Sequence, residues 1–184
     1  MSAQSWSIAI EEPDHRVRSE TERRTSRRWI DTSELGHSSG SRIVTGVGDC
    51  MVLRLPRFAD ARGSLVPIEM EQGIPLVARR FFCIFDVPDG HIRGEHAHRE
   101  CAQFLVAIKG GVSVVVDDGE HSVELRLDRP DVGLLVPSGV WAEQSRFTAD
   151  AVLAVFASDP YDADDYIRSY GEFTQYISEL PSHP

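Results

Sequence analysis

The segment Arg93-Gly-Glu-His-Ala-His98 holds the side chains best suited to chemistry. Alternation along a strand puts His96 and His98 on one face and Ala97 on the other. Two imidazoles so placed have three uses open to them. They can supply nitrogen ligands to a metal, move protons near neutral pH, or sit hydrogen-bonded in a polar interior. Gln103 follows His98 along the same stretch, where its amide could fix an imidazole tautomer. Cys50, Cys83 and Cys101 lie in apolar surroundings with no CxxC spacing. That pattern predicts reduced, buried thiols of a cytoplasmic protein rather than a disulfide or zinc framework.

The elements that must position the histidines are short. From residue 50 onward, apolar or alternating runs recur between turn residues. Candidate strands are 50–55, 64–69, 77–87, 94–99, 103–108, 112–117, 121–127, 133–136 and 151–157, rich in Val, Ile, Leu and Phe. Gly110-Gly111 and Asp117-Asp118-Gly119 read as hairpin turns. Many strands at this spacing, without helical crossovers, predict an all-β sandwich or barrel. A helical period appears only near the end, over about residues 164–177, with Asp164 and Asp165 at its start. Residues 1–48 are poor in apolar runs, and their 7 Arg balance 7 Asp+Glu. They are expected to be a mobile extension, or an arm docked on a partner through Trp6 or Trp29.

With 184 residues the chain amounts to one domain. Its formal charge of −10 falls entirely within residues 49–184, where 12 Lys+Arg meet 22 Asp+Glu. This argues against nucleic acid and anionic membranes as partners. No apolar run approaches the roughly 20 residues needed to cross a bilayer, and the N-terminus has no secretory apolar stretch.

Gly90, the His96-x-His98 pair, Gln103 and Gly110 together resemble the first motif of the cupin barrels. Pro137-Ser-Gly139 and Ala142 resemble the second, in which a histidine usually stands where Ala142 is. A cupin metal is commonly held by three His and one Glu. Gln103 and Ala142 replace two of those four, so no catalytic metal is expected and metal-free acid–base work is favoured.

The resemblance then narrows. Ala61-Arg-Gly-Ser-Leu65, Arg80-Phe-Phe-Cys-Ile-Phe-Asp86, Arg93-Gly-Glu-His-Ala-His98, Gln103-Phe-Leu-Val106 and Val116-Asp-Asp-Gly119 occur in this order. Leu127-Asp-Arg-Pro-Asp-Val-Gly-Leu134, Val140-Trp141, Ala157-Ser-Asp-Pro-Tyr-Asp162 and Asp165-Tyr-Ile-Arg168 complete the series. Together they resemble the dTDP-4-keto-6-deoxyhexose 3,4-ketoisomerases, RmlC-like cupins that also occur in WxcM-like proteins, over about residues 50–178. The resemblance implies an all-β cupin or jelly-roll barrel over residues 49–184 with a C-terminal helix, a homodimer, and no cofactor. It implies an isomerase that moves a keto group between C4 and C3 of a dTDP-linked 6-deoxyhexose through an enediol. It assigns proton transfer to His96 and His98, with His98 preferred as base for its nearness to Gln103. Arg62, Arg80 and Arg93 are then candidates for the pyrophosphate, and Phe82 and Trp141 for stacking on base or sugar. Gln103 completes the expected substrate-binding set. Phe82 and Cys83 stand where relatives often carry tyrosines, and Ala142 where they often carry histidine. A cupin lyase, cyclase or epimerase, or a non-catalytic nucleotide-sugar binder, is the alternative.

Overall fold

The alternating runs fold as strands in a computed structural model that describes residues 27–70 and 73–180. In chain order these are β1 (Arg28–Ile30), β2 (Arg42–Val44), β3 (Met51–Arg54), β4 (Phe58–Asp60), β5 (Gly63–Leu65), β6 (Arg80–Phe85) and β7 (Arg93–His98). They continue as β8 (Gln103–Lys109), β9 (Val112–Asp117), β10 (Ser122–Leu127), β11 (Val132–Val136), β12 (Trp141–Ser145), β13 (Val152–Ala157) and β14 (Tyr166–Ile167). Helix α1 (Tyr170–Glu179) follows. One six-stranded sheet runs β1-β10-β9-β12-β7-β14 and the other β2-β3-β11-β8-β13-β6. β1 pairs with β10 in parallel; the remaining ladders are antiparallel.

The inner faces of the two sheets share one core. Val114 and Leu125 of the first sheet meet Leu105, Leu134 and Leu153 of the second, all essentially inaccessible to water. Each such side chain contributes about 1.5–3 kcal/mol relative to exposure. Behind the second sheet, Phe104, Leu135 and Phe156 are covered by Val66, Ile68, Leu76 and Ala78. Behind the first sheet, Ala97, Trp141, Ile167 and Phe173 close a third cluster beneath α1. This is the all-β barrel with a C-terminal helix that the alternating pattern and the cupin-like motifs lead one to expect. Among the described residues no helix is long and apolar enough to cross a membrane.

Four local expectations change. Gly110-Gly111 is not a hairpin turn, because β8 and β9 lie in different sheets. A Cβ at Gly110 (φ +61°) would meet the Ala151 backbone at 2.7 Å, so glycine permits a tight crossing there. The Asp117–Gly119 turn does join paired strands, β9 and β10. β12, unforeseen as a strand, buries Trp141 under the helix and turns Ala142 and Gln144 to the other face. A methyl and an amide leave no apolar alternation to read.

The C-terminal helix starts at Tyr170, capped by Ser169, and not at Asp164. Tyr166 and Ile167 pair with His98 and Ala97, which takes Asp165 out of the helix and sets it beside β7. Finally, the described part of the N-terminal stretch is packed. Ile30, Leu35 and Val47 are buried in the main core, and β1 and β2 extend the two sheets. Arg54 ties this segment down, donating to the Leu35 and Gly36 carbonyls and to Asp131. Three-residue strands are too short to show a period, so the boundary drawn at residue 48 falls inside the packed structure. Trp29 is exposed, while Trp6 lies outside the described residues.

Candidate active site

The site is built on β7, between β12 and β14. Gly94 (φ +81°) and Glu95 (φ +54°) take left-handed conformations, and the register with β12 slips between Ala142 and Glu143. The result is a bulge, which re-aims the side chains that follow it. Gly94 is required here, since a Cβ would lie 2.7 Å from the Ala142 carbonyl oxygen. Beyond the bulge, His96 and His98 share a face, their ring centres 4.9 Å apart and their planes perpendicular. Ala142 lies opposite His96 in the ladder, so the usual third cupin histidine is replaced by a methyl at the same place in space.

The two imidazoles carry different proton inventories. His96 Nδ1 lies 2.9 Å from the Gly94 carbonyl oxygen. A carbonyl only accepts, so Nδ1 carries the proton and Nε2 keeps a lone pair with no partner among the described residues. Burial, helped by the neighbouring His98, pushes His96 down to about 4, against the pull of the Gly94 carbonyl. His98 is bonded at both nitrogens: Nδ1 lies 2.6 Å from Asp165 Oδ2, and Nε2 lies 3.0 Å from the Gln103 amide nitrogen. Burial lowers its pKa despite the opposing hydrogen bond to Asp165. A neutral His98 therefore donates from Nδ1 to the carboxylate and accepts from Gln103 at Nε2. Asp165 stays below the ordinary carboxylate range although burial acts to raise it. The Glu100 and Cys101 backbone N–H groups and His98 outweigh that penalty.

Around the pair stand groups from three further elements. The Tyr166 ring lies 4.9 Å from His96 and 4.3 Å from His98. Burial raises its phenol pKa, against a hydrogen bond from Arg80, so it remains a protonated donor. The Arg80 guanidinium carbon sits 5.4 Å from the Phe82 ring centre and 5.7 Å from that of Tyr161. Its Nε is buried without a hydrogen-bond partner among the described residues. The Arg168 guanidinium carbon stacks 4.2 Å from the Tyr166 ring centre. Neither arginine forms an ion pair among the described residues, and both act on His98 electrostatically. The site thus holds two guanidinium charges and the Asp165 carboxylate beside two neutral imidazoles.

Of the residues singled out in the sequence, the fold brings together His96, His98, Gln103, Arg80 and Phe82. It does not bring the others. Trp141 is turned away: its ring packs on Tyr170 (5.3 Å) and Phe173 (5.7 Å), with Nε1 donating to Glu143. Adjacent strand residues face opposite ways, and Ala142 holds the interior side, so Trp141 is helix packing and not a stacking surface for a ligand. Arg62 sits at the tip of the β4–β5 hairpin, side chain 90% exposed, paired with Asp60 at 2.5 Å. Among the described residues those two strands pair only with each other. Arg93 is exposed at the far end of β7 from His98. Cys83 shares the outer face of β6 with Phe81 and Phe85, while Phe82 packs on the interior core. Asp165, Tyr166 and Arg168 had no assigned role from sequence. Their only signal was the Asp165-Tyr-Ile-Arg168 motif itself.

Comparison with known proteins places the chain in a family. The family model described as FdtA, WxcM-like, C-terminal, matches residues 48–178. A TDP-4-oxo-6-deoxy-alpha-D-glucose-3,4-oxoisomerase of Aneurinibacillus thermoaerophilus is 43% identical over 129 residues, which span 70% of this chain and 93% of that protein. Among solved structures, a 3,4-ketoisomerase from Helicobacter canadensis is 35% identical with a TM-score of 0.69, covering 71% of this chain and 98% of its own. A His-to-Asn variant of a 3,4-ketoisomerase from Thermoanaerobacterium thermosaccharolyticum, in complex with TDP-4-keto-6-deoxyglucose, is 30% identical with a TM-score of 0.71. It covers 74% of this chain and 99% of its own. With its motifs in order, residues 48–178 matched by the family model and its histidine pair on the inner face of β7, this chain belongs to the WxcM-like, C-terminal family of sugar-nucleotide 3,4-ketoisomerases.

Proposed function

We propose that this protein isomerises a TDP-linked 4-keto-6-deoxyhexose to the 3-keto sugar through a 3,4-enediol, with His96 and His98 moving the protons. The observation that carries the reading is the unequal state of two neutral imidazoles 4.9 Å apart. His96 presents a free Nε2 lone pair, whereas His98 is backed by the Asp165 carboxylate at 2.6 Å.

The protons balance as follows. His96 Nε2 takes the C3 hydrogen, which the neighbouring carbonyl acidifies, and passes it to O4 to give the enediol. His98, once Gln103 releases its Nε2, takes the O3 proton and delivers it to C4. Asp165 stabilises the transient imidazolium through Nδ1–H, as a charge-assisted hydrogen bond. The double bond to oxygen moves from C4 to C3, and nothing is oxidised or reduced overall. Arg80 and the Tyr166 hydroxyl, hydrogen-bonded to each other beside the two imidazoles, are assigned to stabilise the oxygen on which charge develops. This assignment reverses the preference for His98 as the base, because the Gln103 amide expected to help it occupies the lone pair such a base would need.

Arg80 and Arg168 supply the positive charge for a pyrophosphate in an otherwise acidic protein. Arg62 and Arg93 lack any contact with the histidines within one subunit. A homodimer is the reading that gives the exposed β4–β5 hairpin, with Phe58 63% and Leu65 61% exposed, a surface to cover.

The test is NMR of the reaction with TDP-4-keto-6-deoxyglucose in deuterated water. A 3-keto product with deuterium at C4 is expected, because that hydrogen comes from an exchangeable hydroxyl. Carry-over of the C3 hydrogen to C4 would refute the two-histidine route, and absence of a 3-keto product would refute the activity.

A further inference from the structure

Cys101 is buried beside the site, and the proton transfers do not use it. A His98 ring nitrogen, Cys101 Sγ and an Asp165 carboxylate oxygen all lie within 4.8 Å of one another. We propose that His98, Cys101 and Asp165 form a binding site for a soft divalent cation such as Zn2+, and that filling it shuts off turnover. Nitrogen, thiolate and carboxylate are the donors that zinc prefers, and three protein ligands plus one open position is its usual arrangement outside closed structural sites. The set shares only His98 with the cupin ligand positions, and replaces His96, Gln103 and Ala142 with Cys101 and Asp165.

The geometry needs only modest adjustment. Donor atoms around a tetrahedral zinc lie ~3.3–3.8 Å apart, given bond lengths of ~2.0–2.3 Å. Here the span is 2.6 Å between His98 Nδ1 and Asp165 Oδ2 and at most 4.8 Å elsewhere in the trio. Asp165 is already anchored by the Glu100 backbone N–H at 2.7 Å. Its side chain, 12% exposed, is the donor most open to solvent. Binding balances simply. Asp165 is already ionised, the His98 proton moves from Nδ1 to Nε2 with the Gln103 amide turned so that its oxygen accepts it, and the Cys101 thiol loses its proton to solvent. One proton is therefore released per metal ion. The metal takes the carboxylate and a nitrogen from the His98–Asp165 pair, so His98 can no longer carry a proton to C4. This consequence rests on the role proposed above for His98; the site itself does not.

The experiment uses the purified full-length chain with Co2+ as optical probe and Zn2+ as inhibitor. Adding Co2+ should produce a thiolate charge-transfer band in the near ultraviolet. The band should persist in Cys50→Ser and Cys83→Ser and vanish in both Cys101→Ser and Cys101→Ala. Zn2+ should inhibit the wild type reversibly, with a chelator restoring turnover. The Cys101 variants should turn over normally and need at least about 10-fold more Zn2+ for half inhibition. A missing band, or one that survives in both Cys101 variants, overturns the site. A Cys101-dependent band with undiminished turnover overturns the role of His98 and leaves the metal site standing.

Discussion

Burial of His96 in neutral form makes a thermodynamic prediction that can be tested without substrate. Its pKa is pushed from the ordinary 6.5 to about 4. In the unfolded chain the imidazole takes up a proton as pH falls through 6.5, whereas in the folded chain it stays neutral until about 4. The unfolded state thus binds more protons across that window, so stability rises with pH there and is lost on acidification. The full shift of about 2.5 units corresponds to ~3.4 kcal/mol at ~1.36 kcal/mol per unit. Between about pH 7 and about pH 4.5 roughly 2.4 kcal/mol of it should disappear, a large share of a domain's stability. The perturbation is His96→Asn, which keeps a polar side chain of similar size but cannot titrate. Denaturant unfolding of wild type and variant at both pH values cancels the carboxylates common to the two. The wild type should lose about 2 kcal/mol more than the variant on acidification. Equal losses would mean that His96 is not held neutral by burial, and the case for its free Nε2 as a base would fall with it.

Four further outcomes are expected. His96→Asn and His98→Asn should each lower kcat by about 10²–10⁴-fold while leaving TDP affinity nearly unchanged by calorimetry. The acid limb of the wild-type kcat/KM profile should lie below 6.5, since both imidazoles are depressed by burial. Trp141→Ala should cost ~3–5 kcal/mol in denaturant unfolding, with KM little changed, because its ring fills the cluster under α1 and touches no site residue. Asp131→Ala should cost ~3–5 kcal/mol by the same assay. It strands Arg54, whose side chain is 4% exposed, and loosens the 35–36 segment that Arg54 holds, which proteolysis would report.

What the sequence determined by itself follows from periods and order. A period of two is geometric, so His96 and His98 had to share a face once 93–98 was a strand. Runs of Val and Leu between turns specified a β barrel, and motifs recurring in order pointed to the family. Tertiary structure decided the rest, because the deciding contacts join distant segments. Asp165 meets His98 across 67 residues, and no local pattern announces which acid will accept a given imidazole proton. Tyr166 and Arg168 reach the site because two residues pair with β7 where a helix start was expected. The same holds for Trp141. Its type suits ligand stacking and core packing equally, and only the helix lying on the outer face of its strand settles which one is realised.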